Sequence, residues 1–149
     1  MYLLSKKSSL ALEAVLDVAY NARPNPVQSK DITERQGIQS RYLEQVLQFL
    51  VKRGILKGVR GPKGGYTLAR ERRRLTLGDV LRVIEDLENE DDKMESISEL
   101  GEKVIQPIWA NFHGEMLAVL DQITLEDLCK RAEKAGVERV GGEKTDFVI

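Results

Sequence analysis

The sequence predicts a mainly α-helical chain that carries one small β-hairpin. Apolar residues recur at helical spacing over most of the 149 residues, and glycine and proline cluster in one window, VRGPKGGYTL at 59–68. With 42% apolar residues, the chain can build one compact domain or a small domain with an appended oligomerisation element.

A first helix is predicted for residues 8–22, SSLALEAVLDVAYNA. Its apolar residues fall on one face, and Ser8 or Ser9 could serve as the N-cap. The following RPNP at 23–26 ends the helix, because proline lacks the backbone donor and restricts the residue before it. The face directed to the core is formed by Leu12, Val15, Leu16 and Ala19.

Two further helices follow in close succession. SKDITERQ at 29–36 predicts a short helix with Ser29 as its N-cap and Gly37 as its stop. A third helix is predicted from Ser40 until Gly54 ends it. Its apolar stripe, at positions i, i+3, i+4 and i+7, consists of Leu43, Val46, Leu47 and Leu50.

A short helix, a tight glycine turn and a longer helix have the spacing of a helix-turn-helix, whose second helix enters the DNA major groove. Such hairpins with a polar outer face also occur in proteins that bind no DNA. The side chains opposite the stripe suit contacts to bases and phosphates. They are Gln39, Ser40, Arg41, Tyr42, Glu44 and Gln45.

The glycine-rich window is predicted to be the turn of a β-hairpin. ILKGV at 55–59 and GYTLA at 65–69 are the two strands, so Arg60 and Lys63 lie at the tip, where they could reach a minor groove or the DNA backbone. A phosphate-binding loop is excluded because the GxxxxGK[ST] pattern is absent, and a linker because patterned strands flank the turn. Helix-turn-helix plus hairpin predicts a winged helix.

The charge distribution supports a polyanionic partner. Residues 1–82 hold sixteen Lys or Arg against seven Asp or Glu, a net charge of +9, whereas residues 83–149 hold seven against seventeen, a net charge of −10. A basic half that releases counterions is typical of nucleic-acid binding, and an acidic half would be repelled.

After the hairpin, a long apolar stripe predicts either intramolecular packing or an assembly surface. Pro107 marks a kink or a helix start within it. TLEDL at 124–128 opens a last helix, with Thr124 and Asp127 as a capping-box pair and Gly136 as its end. The stripe consists of Ile97, Leu100, Val104, Ile108, Trp109, Phe112, Met116, Val119, Leu120 and Ile123.

Four segments resemble the Rrf2 family of bacterial transcription regulators: SKKSSLALEAVLDVA, DITERQGIQSRYLEQVLQFLVKRGIL, VRGPKGGYTLAR and LTLGDVLRVIE. The resemblance implies a homodimeric winged-helix DNA-binding protein with its wing at 60–66. It implies DNA contacts by Ser40, Arg41, Tyr42, Gln45, Arg60, Lys63, Gly64 and Tyr66, with Lys6 and Lys7 on the backbone. It also implies a dimer interface formed by Val104, Ile108, Trp109, Phe112, Met116, Val119, Leu120 and Ile123.

Many members of this family, such as IscR, hold an iron–sulfur cluster through three cysteines after the wing. Here that segment, residues 86–109, contains neither cysteine nor histidine, so an ordinary thiolate-ligated cluster is not expected within the subunit. A [2Fe–2S] centre would need Cys129 or His113 together with carboxylates. The alternative is that Cys129 packs in the last helix and His113 faces solvent.

The absence of cluster ligands makes the chain resemble most closely the CymR-like branch, which represses cysteine and sulfur metabolism. The tail GGEKTDFVI also resembles serine acetyltransferase tails that insert into cysteine synthase. Asp146, Phe147, Val148 and Ile149 are therefore expected to bind that enzyme, since a terminal carboxylate with an apolar side chain mimics an amino-acid substrate.

The remaining expectations concern organisation and class. We expect a winged-helix domain at 1–85, an acidic linker at 86–102, a dimerisation helix and C-terminal helix at 103–136, and a flexible tail at 137–149. No catalytic constellation occurs, so we expect a regulator and not an enzyme; a protein-interaction module that has lost DNA binding is the rival. One cysteine, no membrane-length apolar run and no signal-peptide core lead us to expect a cytoplasmic protein.

Overall fold

Six α-helices and one hairpin make up the computed structural model, which describes residues 4–91 and 98–140. The predicted partner-binding residues Asp146–Ile149 and the stripe residue Ile97 lie outside the described residues. The elements are α1 (Lys6–Asn21), α2 (Ser29–Gln36), α3 (Ser40–Lys52), β1 (Leu56–Val59), β2 (Gly65–Leu68), α4 (Leu77–Asp91), a π-helical turn (Gly101–Ile105), α5 (Gln106–Leu120) and α6 (Leu125–Lys134). The predicted fold class, mainly helical with a small hairpin, is confirmed.

Helix α1 begins two residues earlier than predicted. Ser5, not Ser8 or Ser9, is the N-cap, and its side-chain oxygen accepts a hydrogen bond from the Ser8 backbone N–H at 3.0 Å. Ser5 has the extended backbone that an N-cap requires, whereas Ser8 is already the third helical residue. The choice among nearby serines depends on which hydroxyl faces the free N–H groups, and composition does not specify this.

The ends of α2 and α3 follow the predicted stop signals. Gly37 ends α2 in the left-handed conformation, with φ +67°, and Gly54 follows α3 with φ +79°. Ser29 is the first residue of α2 and not its cap; Gln28 precedes the helix without a side-chain capping bond. The predicted stripe of α3 is buried throughout.

The hairpin pairs antiparallel, with Leu56 opposite Leu68 and Val59 opposite Gly65. Val27, from the α1–α2 connection, exchanges both backbone hydrogen bonds with Tyr66, at 2.8 and 3.0 Å. Strand β2 is therefore held by backbone hydrogen bonds on both of its sides, a support that isolated two-stranded sheets lack.

The starts of α4 and α6 are joined to each other. Each helix opens with a threonine and an aspartate in a reciprocal capping box, Thr76 with Asp79 and Thr124 with Asp127. The two threonines face each other in an antiparallel bridge. The Leu77 N–H donates to the Ile123 carbonyl at 2.7 Å, and the Leu125 N–H donates to the Leu75 carbonyl at 2.9 Å. The capping box predicted at Thr124 is confirmed.

The hydrophobic core combines α1, α3, α4 and α6. Leu125 and Cys129 of α6 are buried among the residues of α1, and Cys129 is only 4% exposed. The core is therefore not confined to residues 1–85. Residues 86–91, the beginning of the range predicted as a linker, continue α4.

Polar contacts hold α1 against α2 and against the segment that follows α6. The buried carboxylate of Asp17 accepts two hydrogen bonds from Arg35, at 2.7 and 2.9 Å, and one from Gln36 at 2.6 Å. These bonds raise the pKa of Arg35 above its ordinary value. After α6, the Tyr20 hydroxyl donates to the Val137 carbonyl at 2.6 Å, so the first residues of the predicted tail pack against α1.

Pro107 lies where a π-helical turn becomes α5, inside a continuous helical segment. A proline has no N–H to donate and its ring displaces the preceding turn, so a wider turn just before it relieves both problems. Of the two predicted alternatives, Pro107 is in the first turn of an α-helix. Within the described ranges, no helix is both long and apolar enough to cross a bilayer.

Candidate nucleic-acid interface

The second helix of the helix-turn-helix presents a polar face to solvent. Burial of its stripe fixes the orientation of α3, because the same four apolar residues can face the core in only one rotation. The opposite side then carries the predicted base and phosphate contacts. Gln39, Ser40, Arg41, Glu44 and Gln45 are all exposed.

Tyr42 has a structural contact as well as a place on this helix. Its side chain is half-buried, and its hydroxyl donates to the Lys7 carbonyl at 3.0 Å. This bond joins the first turn of α3 to the first turn of α1. Lys6 and Lys7, both exposed, are thereby placed beside the polar face of α3.

The wing tip exposes the two predicted cations, Arg60 and Lys63. Gly61 has φ +107°, and its carbonyl accepts a hydrogen bond from the Gly64 N–H at 2.8 Å. Gly64 is buried, and a Cβ at this position would lie 2.1 Å from the Val59 carbonyl oxygen. The turn therefore requires glycine at position 64, and any contact that Gly64 makes to DNA would be through its backbone.

Tyr66 lies on β2 opposite Gly58, one pair before the end of the hairpin, and not in the turn at the wing tip. Its side chain is half-buried, and its backbone is bonded to Val27. The contribution of Val27 was missed by the sequence analysis. A single extended residue after a proline gives no signal of which strand it will pair with.

The acidic end of α4 reaches the base of this surface. The Ser5 hydroxyl donates a hydrogen bond to the Glu88 carboxylate. Glu88 and Asn89 also line a cavity of about 310 Å³ together with Tyr42 and Gln45. The sequence predicts this region to be a linker. In the structure it instead places the negative charge of Glu88 beside α3, the helix that is expected to contact DNA phosphates.

A second exposed surface, the α5 face, is apolar. Trp109 is 69% exposed, Ile108 59% and Phe112 48%, and the Trp109 and Phe112 rings stack with centroids 6.1 Å apart. Val104 and Val119 are exposed as well, whereas Met116, Leu120 and Ile123 are half-buried. Large exposed apolar patches mark interaction surfaces.

The two candidate cluster ligands, Cys129 and His113, are both engaged in packing or hydrogen bonding. Cys129 is buried in α6, as the structural alternative predicted. His113 does not simply face solvent: its Nε2 lies 2.5 Å from the Glu85 carboxylate, because α5 packs against α4 there. In residues 4–91 and 98–140, no three His, Cys, Asp or Glu side chains are grouped as metal ligands.

Comparison with known proteins agrees with this geometry. A family model described as Rrf2, iron-dependent transcriptional regulator, matches residues 4–131. The HTH-type transcriptional regulator IscR of Escherichia coli is 34% identical over 132 residues, covering 87% of this chain and 82% of that protein. These relatives are named as transcriptional regulators and not as enzymes.

Two solved structures of transcriptional regulators are also similar to this chain. The structure of T. potens IscR is 38% identical, with a TM-score of 0.73, and the match covers 92% of this chain and 93% of that one. CymR, described as the global cysteine regulator of B. subtilis, is 29% identical, with a TM-score of 0.67 and coverage of 88% and 98%.

Proposed function

Because the chain belongs to the Rrf2 family of transcriptional regulators, we propose that it is a sequence-specific repressor that binds duplex DNA as a homodimer in the cytoplasm. The observation that carries the proposal is the Tyr42–Lys7 bond, which places the N-terminal lysines beside the exposed face of α3. Helix, wing tip and lysines together offer base-reading and phosphate-binding groups.

The DNA-binding proposal is tested by fluorescence anisotropy with duplex DNA from the region upstream of the gene, titrated with salt. We expect affinity to fall steeply with salt, and Arg60→Ala to reduce the slope of log K against log salt by about 1. Lys130→Ala, an exposed cation on α6, is the matched control and should leave the slope unchanged. Salt-independent affinity would contradict the proposal, and absence of binding would favour the protein-interaction module.

Base reading is separable from backbone binding. Gln45→Ala should change the preference among half-sites more than the overall affinity, because Gln45 is exposed on the polar face of α3. Tyr42→Ala should affect both, since it also removes the bond to Lys7. The measurement is competition between operator duplexes that differ at single base pairs.

We further propose that the α5 face is the dimer interface. Its exposed aromatic and aliphatic side chains are the kind of surface that a second copy covers in a symmetric dimer. A two-fold dimer would also present two recognition helices to a palindromic operator. Sedimentation at micromolar concentration tests this, and a monomer would count against it.

The absence of suitable ligands supports regulation without a cysteine-ligated cluster. The single cysteine of the chain is Cys129, and it is buried in the core. The residues present therefore do not fit an ordinary [2Fe–2S] centre, although the family model carries the description iron-dependent. Protein purified without oxygen should be colourless with substoichiometric iron; a brown, stoichiometric cluster would make it an iron–sulfur or redox regulator.

We propose cysteine and sulfur metabolism as the regulated process, with cysteine synthase as the partner. The likeness to CymR and the sequence of the tail support this. Calorimetric titration of cysteine synthase with the peptide GEKTDFVI should show binding that O-acetylserine competes away. The same peptide without Ile149 is the control; equal binding of both peptides, or none at millimolar concentration, would refute the proposal.

A further inference from the structure

A cavity of about 360 Å³ lies between the C-terminal end of α1, strand β2 and the segment that leads into α4. Its floor is apolar, with Val18, Ala22 and Leu68 among the lining residues. Four arginines, Arg23, Arg70, Arg72 and Arg73, also line it. We refer to this site as the arginine cavity; its volume is in the range of small-molecule sites.

The charges around the arginine cavity do not balance. The neighbouring Glu71 is engaged by Arg73 at 2.7 Å and by Arg74 at 3.8 Å, and hydrogen bonding to Arg73 holds the pKa of Glu71 below its ordinary value. The side chains of the other three cavity arginines, Arg23, Arg70 and Arg72, have no ion pair or hydrogen bond with any described residue. Glu126, also in the lining, is the one other acid there. An excess of positive charge therefore faces the cavity.

Arg72 is the most informative of these residues. Its side chain is half-buried, unlike Arg23 and Arg70, and its carbonyl accepts a hydrogen bond from the Glu126 N–H at 3.1 Å. A guanidinium that is partly removed from water without a partner is unfavourable, and a bound anion would supply its hydrogen bonds. The backbone bond to α6 holds Arg72 in place for such a role.

The arginine cavity is distant from the proposed DNA contacts. Helix α1 rises about 1.5 Å per residue, so its end at Val18–Ala22 lies roughly 20 Å from the end where Lys7 meets Tyr42. The segment 70–74 likewise follows the base of the hairpin and not its tip. The arginines are thus not an extension of the recognition face.

We propose that the arginine cavity binds a small organic anion, whose carboxylate or phosphate group is held by Arg23, Arg70 and Arg72 while its apolar body rests on the floor. Arginine binds both groups bidentately, and the floor distinguishes an organic anion from an inorganic one. The binding needs no DNA, so the inference goes beyond the proposed function and can fail or succeed separately from it.

Isothermal calorimetry on the full chain without DNA tests the proposal with four probes. Phenyl phosphate and benzoate carry charge and an apolar body, inorganic phosphate carries charge alone, and benzyl alcohol carries the body alone. One of the first two should bind with a stoichiometry of one per chain, at least about tenfold more tightly than the last two. Whichever of phenyl phosphate and benzoate binds more tightly shows whether the cavity recognises a phosphate or a carboxylate group.

Variants locate the binding. Arg72→Gln should weaken the affinity for the anion about tenfold. Arg74→Gln changes a neighbouring arginine outside the cavity lining, and it should leave the affinity within about twofold. If Arg72→Gln fails to fold, the exposed Arg70→Gln serves in its place. Equal weakening by Arg74→Gln, no binding of either organic anion at about 10 mM, or displacement of the anion by a DNA duplex would overturn the proposal.

Discussion

Asp17 is a buried acidic residue whose hydrogen bonds join α1 to α2. Its carboxylate is fully buried in α1 and receives hydrogen bonds from both Arg35 and Gln36 of α2. Removing the carboxylate leaves the partly exposed Arg35 guanidinium and the Gln36 amide without this acceptor. Asp17 therefore fixes the position of α2, and through it the turn that leads into α3.

We expect Asp17→Ala to reduce the free energy of unfolding by about 3 kcal/mol, because it removes a buried carboxylate that accepts three hydrogen bonds. The control is Asp86→Ala, which removes a more exposed pair with Arg53 at 2.8 Å and should cost no more than about 1 kcal/mol. Urea denaturation followed by circular dichroism measures both. Similar losses for the two variants would show that Asp17 does not anchor α2.

Gly65 is constrained by Val27, which forms a single bridge to β2. Its φ is +149°, and a Cβ would lie 2.4 Å from the Val27 carbonyl oxygen. Gly65→Ala should therefore lower the free energy of unfolding by about 2 kcal/mol and weaken DNA binding. Gly58→Ala on β1, where a Cβ would meet nothing within 4 Å, should change stability by less than about 0.5 kcal/mol. Thermal unfolding of the two variants decides the comparison.

At the scale of elements, local signals predicted most of the fold. The helical periodicities and the stops at Gly37 and Gly54 are properties of neighbouring residues, so they could be detected without a structure. The hairpin was predicted from its turn residues in the same way. The site residues on α3 followed from the orientation of its buried stripe.

Contacts between distant residues could not be predicted in this way. The Ser5–Glu88 bond and the Thr76–Thr124 bridge join residues far apart in the chain, and neither partner carries a pattern that specifies the other. The arginine cavity was missed for the same reason, since Arg23 and Arg72 meet only through the packing of α1 against β2. Local patterns predict elements, and packing determines where their ends meet.

The capping box of α6 makes part of the stability of the protein depend on pH in the acidic range. Hydrogen bonds from Thr124 lower the pKa of Asp127 below its ordinary value near 4. A depressed pKa in the folded state means that Asp127 contributes stability above pH 4 and loses that contribution as the pH falls through its folded pKa. Denaturation midpoints measured from pH 6 to pH 3 should fall less steeply for Asp127→Asn than for the unmodified protein. Parallel curves would exclude this role.

At the scale of the whole molecule, the proposed role of the α5 face in dimerisation can be tested separately from folding. Trp109 is largely exposed in the single chain, so Trp109→Glu should leave the helical content unchanged while converting the proposed dimer to a monomer. Val137→Glu, at another exposed apolar residue outside α5, is the control and should remain dimeric. Light scattering after size exclusion measures the mass. A monomer that has also lost helical content would place Trp109 in the fold and not in the interface.

The burial of Leu125 and Cys129 against α1 has a consequence for how the protein is made. During synthesis α1 leaves the ribosome first, yet the residues that complete its core are translated more than two-thirds of the chain later. At ~5–20 residues per second, this delay is roughly 5–20 s. Through that interval α1 lacks the part of its apolar cover that Leu125 and Cys129 supply. We therefore expect the hydrophobic core to be completed only when α6 has emerged and docked.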